Sequence, residues 1–76
     1  VIDKDDLRQN KIMTVKHVKT GNIYRVAMSN AKIINATNEN DGQEMVFYGN
    51  EDLSMEFVRE INEFCDGRFV VHEYYN

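Results

Sequence analysis

Proline and tryptophan are absent, and cysteine occurs once, at Cys65. A single cysteine excludes an internal disulfide. With His17 and His72 far apart in sequence, no Cys/His cluster has zinc-ligand spacing. No apolar run approaches the roughly 20 residues of a membrane-spanning helix, and no basic-then-apolar leader opens the chain. These gaps predict a membrane-free protein in a reducing cytoplasm. Neither a glycine-rich phosphate loop nor a D-x-D-x-D-G calcium loop is present, so no cofactor is expected.

What is present has an ordinary globular composition, 42% hydrophobic and 29% charged. At 76 residues there is room for one domain. Such a chain buries only about 60% of the surface that it exposes unfolded. Stability must therefore come from apolar packing, helped by self-association where an edge allows it.

The net charge of −4 is unevenly spread. Residues 13–38 carry Lys16, Lys19, Arg25 and Lys32 and no acid, whereas 39–76 carry ten acids against Arg59 and Arg68. Two arrangements follow: a dipole that steers a charged partner, or strands that interleave and pair the two signs.

Residues 1–12 are polar, with Asp3 placed to cap a helical turn. They read as an N-terminal arm, native or appended, with the domain proper at 13–76. From Met13 the hydrophobic period is mostly two. Met13, Val15 and His17 share one face of a strand, and Gly21-Asn22 supplies a turn. Ile23–Met28 alternates, with Tyr24, Val26 and Met28 inward and Arg25 outward. Residues 31–36 read as a third strand and Gln43–Tyr48 as a fourth, joined by a loop ending in Asp41-Gly42. Gly49-Asn50 closes that fourth strand. Residues 50–65 fit two periods, a strand through Val58 and a short helix near 58–65 ended by Gly67. Arg68–Tyr74 forms the last strand. The fold class is mainly β or α+β: a small barrel-like or rolled antiparallel sheet of five to six short strands with one short helix.

His17-x-Lys19-x-Gly21-x-x-Tyr24-x-Val26, Thr37-x-Glu39, Glu44-x-Val46-x-Tyr48, Phe57-Val58-Arg59, Glu63-Phe64 and Arg68-Phe69 occur in this order. Over residues 15–70 the chain thereby resembles domain-of-unknown-function family 1653, small proteins of bacteria and their phages. Thr20 separates Lys19 from Gly21 where that family has Lys-Gly adjacent. Phe57-Val58-Arg59-Glu60 stands where it has Trp-Val-Arg-Pro. The resemblance implies a compact β-rich fold and no established catalytic residues.

Catalysis by Cys65 with His17 or His72 would need the groups within hydrogen-bond reach. A buried Cys65 acting as a small hydrophobe is the plainer reading, and no enzyme is expected. Glu51, Asp52, Glu56, Glu60 and Glu63 are candidates for an acidic protein-binding face, with Glu56 and Glu60 one turn apart if helical. The simpler role for such acids is a solvated surface. The alternative function is a nucleic-acid-binding barrel using Lys16, Lys19, Tyr24, Arg25 and Lys32. Four cations make few phosphate contacts. The last strand is an edge, open to a second copy or a partner strand.

Overall fold

The computed structural model describes residues 1–27 and 33–76. Met28, the Ala31–Lys32 part of the expected third strand, and Lys32 of the basic set lie outside the described residues. The elements are α1 (Lys4–Arg8), β1 (Ile12–His17), β2 (Ile23–Val26), β3 (Met45–Asn50), β4 (Glu56–Glu60), α2 (Ile61–Phe64) and β5 (Phe69–Tyr74). The five strands form one antiparallel sheet in the order β4-β3-β2-β1-β5. The class expected from the period-two pattern is the class found.

The sheet is rolled and stays open. β4 and β5 end the strand order, yet the Arg59 guanidinium on β4 lies 5.9 Å from the ring centroid of Phe69 on β5. Only a strongly curled sheet brings its two edges that close. α2 links these edges, and Phe64 stacks on Phe69 with centroids 4.5 Å apart. Inside the curl, Val15, Val46, Tyr48, Phe64 and Phe69 are buried.

Local chemistry accounts for the elements. Gly21 adopts φ +77°, the left-handed turn that lets β1 fold onto β2. Asp3 caps α1 as expected, accepting from the Asp5 amide at 2.8 Å. Glu60 caps α2, its carboxylate accepting from the Asn62 and Glu63 amides at 2.9 and 3.1 Å.

Four expectations need correction. β4 runs to Glu60, so the helix is confined to 61–64, and its C-terminal cap is Cys65 rather than Gly67. Of the expected third strand, 33–36 forms only a single bridge, Ile34 to Glu44. β3 ends at Asn50, two residues beyond Tyr48, with Gly49 inside the strand. In β1, register shifts on both sides of Thr14 bury Thr14 and Val15 together, so strict alternation fails there.

Residues 1–12 supply Ile2, Leu7 and Ile12 to the core. Arg8 ties this segment to the bridge before β3, its Nε and Nη2 donating to Glu44 at 3.0 and 2.9 Å. These bonds hold the Glu44 carboxyl below the ordinary glutamate range. A depressed folded value contributes stability that is complete above the unfolded pKa of about 4.3 and is lost as pH falls through the folded value. Glu44→Gln is therefore expected to melt lower than wild type at pH 6, with the gap closing on acidification. Thermal melts between pH 7 and pH 3 check this, and a gap independent of pH contradicts it.

Candidate functional site

The turn between β3 and β4 is tied together by its own hydrogen bonds. Asn50 Oδ1 accepts from the Met55 amide at 3.0 Å while Asn50 Nδ2 donates to Ser54 Oγ at 2.9 Å. The Asn50 amide donates to the Met55 carbonyl at 3.1 Å, and the Leu53 amide to the Asn50 carbonyl at 2.9 Å. Asp52 Oδ1 accepts from the Ser54 amide at 3.0 Å, and its bonds to Ser54 hold the carboxyl below its usual range. A Cβ on Gly49 would stand 2.8 Å from the Met55 carbonyl oxygen, so only glycine lets this loop lie against its own strand.

Leu53 is held at φ +57°, a conformation that costs a branched side chain roughly 1–2 kcal/mol. Even so, its side chain is not buried: Leu53 is 47% exposed and Met55 58%. Glu51, Asp52 and Glu56, their neighbours in sequence, are also exposed. A strained, fixed turn presenting two apolar side chains alongside three carboxylates is the most site-like feature of the described surface.

The other two candidate acids lie elsewhere. Glu56 and Glu60 occupy opposite ends of a strand, so about 13 Å of extended chain separates them instead of one helical turn. Glu60 is spent on capping α2, and Glu63 pairs with both Arg59 and Arg68.

The candidate basic residues are also divided. Lys16 and Arg25 share the outer face of the sheet, Lys19 sits in the β1–β2 turn, and Tyr24 points to the inner face. There Tyr24 meets Tyr48, Phe57 and Phe69 edge to face, with centroids 5.6–6.0 Å apart. Across the outer face the register runs Glu73, Thr14, Arg25, Gly49, Glu56. Arg25 and Glu56, far apart in sequence, thus flank one glycine and line one cleft with Phe47, Leu53 and Tyr75. Charges segregated along the chain are interleaved on this face.

Beside the turn, on the inner side, Tyr24, Phe57, Ile23, Met55, Asn22, Asn50 and Glu51 line a cavity of about 350 Å³. Sequence reading missed this site and the roles of Asn50 and Gly49. The pattern Asn50-x-Asp52-x-Ser54, two side chains suited to hydrogen-bonding nearby amides, was the available signal.

Cys65 is buried, which pushes its thiol up. His17 packs against Phe69, and His72 stands exposed on β5. Among the described residues no three His, Cys, Asp or Glu side chains are placed to hold a metal ion, and no helix is long and apolar enough to cross a membrane. No family model, curated protein or solved structure matches the chain.

Proposed function

We propose that this chain is a non-enzymatic protein-interaction domain whose docking surface is the acidic, apolar turn at 51–56. The observation that carries the reading is Leu53, strained and half exposed in a loop fixed by Asn50 and Asp52. Pre-ordering removes much of the entropy that binding would otherwise cost. Glu51, Asp52 and Glu56 favour a basic partner surface, with apolar ground to receive Leu53 and Met55. Glu60 and Glu63 serve the fold in this reading. The bacterial or phage setting, with action in the cytoplasm on a host protein, rests on the motif resemblance alone.

Nucleic-acid binding is the weaker proposal. Lys16 and Arg25 share their face with Glu56 and Glu73, and Tyr24 faces the other way, so cation and stacking platform are separated. Anisotropy of a mixed-sequence single strand is expected to stay flat at low salt. A salt-dependent rise transfers the function to the basic residues. A homodimer through the β5 edge is a further proposal that sedimentation equilibrium decides.

Leu53→Gly tests the main reading cleanly, because glycine accepts the positive φ and deletes only the side chain. Partner retained from a bacterial lysate is expected to fall about tenfold, the scale of a modest interface hot spot, with the melting temperature nearly unchanged. Glu51→Lys with Glu56→Lys is expected to weaken capture similarly. Undiminished capture by both variants overturns the reading.

A further inference from the structure

We infer that the cavity beside the turn is a receptor for the guanidinium of an arginine carried by the docking partner, an inference that rests on the protein-binding reading above. The sheet curl is sealed at its centre, where Phe64 and Phe69 are buried. At the β2–β3–β4 end it is open, and Tyr24 and Phe57 stay only partly buried against the core. Their rings stand nearly perpendicular, 81° apart with centroids at 6.0 Å. Tyr48 backs both, at 5.6 and 5.4 Å. Both rings line the cavity, and an aromatic ring attracts a cation that comes within about 6 Å of its face.

The polar lining selects the sign and the shape of the ligand. Glu51 is the charged side chain of this cavity, so an anion finds no counter-charge there. Among the described residues the Glu51 carboxylate, the Tyr24 hydroxyl and the Asn22 side chain make no hydrogen bond or ion pair within the fold. The Asn50 side chain, by contrast, is committed to the turn. All three uncommitted groups can accept a hydrogen bond, the Glu51 carboxylate can only accept, and they accompany flat apolar surfaces. A guanidinium is flat, stacks on aromatic rings, always carries its charge and offers five donors in one plane. A lysine ammonium supplies the charge without the plane. The cavity borders Met55 and Glu51 of the turn, so a partner segment seated on Met55 lies beside its mouth.

The probe is N-acetyl-arginine amide, titrated into the full chain and followed by NMR of the aromatic side chains. The expected result is saturable shifts at the Tyr24 and Phe57 rings with millimolar affinity, weaker shifts with the lysine amide, and none with the neutral isostere N-acetyl-citrulline amide. Phe57→Leu is expected to lower the affinity about tenfold. Glu51→Gln, at an exposed position that leaves the core intact, is expected to lower it and to weaken its salt dependence. No response to the arginine amide, an equal response to the citrulline amide, or tighter binding of the lysine amide overturns the assignment. Silence here together with loss of capture by Leu53→Gly sinks the arginine site alone. Arginine binding with undiminished capture sinks the docking turn and leaves the cavity standing.

Discussion

Phe64→Ala is expected to lower the unfolding free energy by about 3–5 kcal/mol and to move the urea midpoint far below that of wild type. The helix α2 has four residues, far fewer than an isolated helix needs for stability, so its place depends on what it buries. Phe64 is fully buried, stacked on Phe69 and edge-on to Tyr48 at 5.2 Å, and it fills the gap between the two sheet edges. Truncating such a ring typically costs about 3–5 kcal/mol. A domain of this length commands about 4–11 kcal/mol in total. Removing Phe64 therefore takes a large share of the stability and loosens the contact between β4 and β5. Phe64→Leu, which keeps most of the volume, is expected to lose about 1–2 kcal/mol and remain folded. Urea melts followed by tyrosine fluorescence and far-ultraviolet circular dichroism distinguish the two. A cooperative transition near the wild-type midpoint in Phe64→Ala would show that the curl closes without its plug.

Much of this architecture was legible because it depends on neighbours in sequence. The alternation in Ile23–Val26 and Met45–Tyr48, the turn at Gly21 and the cap at Asp3 are each decided within a few residues. What escaped depends on distant contacts. Glu60 is a cap that sequence reading rarely anticipates, since Ser, Thr, Asp and Asn dominate that position. Its capping role starts the helix at Ile61, later than expected, and extends the strand that carries Glu56 through to Glu60. Gly49 looked like a strand end, yet its lack of a side chain serves the return of Met55 against β3. Of the two charge arrangements that the sequence left open, interleaving prevails on the outer face for a topological reason. Antiparallel neighbours bring residue 25 beside 49 and 49 beside 56, so a division along the chain is not a division across the sheet.

Deleting residues 1–10 is expected to lower the melting temperature by about 10 °C or more. Their composition reads as a detachable polar arm, because two apolar residues five positions apart have no period to notice. Ile2 and Leu7 are nevertheless each 2% exposed, in one core with Ile12, Phe64 and Phe69. Burial of each side chain contributes about 1.5–3 kcal/mol, an upper estimate because unfolded chains already bury some surface. The Arg8–Glu44 bonds lie near the surface and add little beside this. Leu7→Ala alone is expected to reproduce much of the loss, at about 2–5 kcal/mol. Asp3→Ala, which removes only the cap, is expected to cost about 1 kcal/mol. That ranking separates packing from helix propensity: if the segment acted through its own helix, the cap would matter most. A shortened chain melting within about 2 °C of the full one would mean that Ile2 and Leu7 cover a core already complete without them.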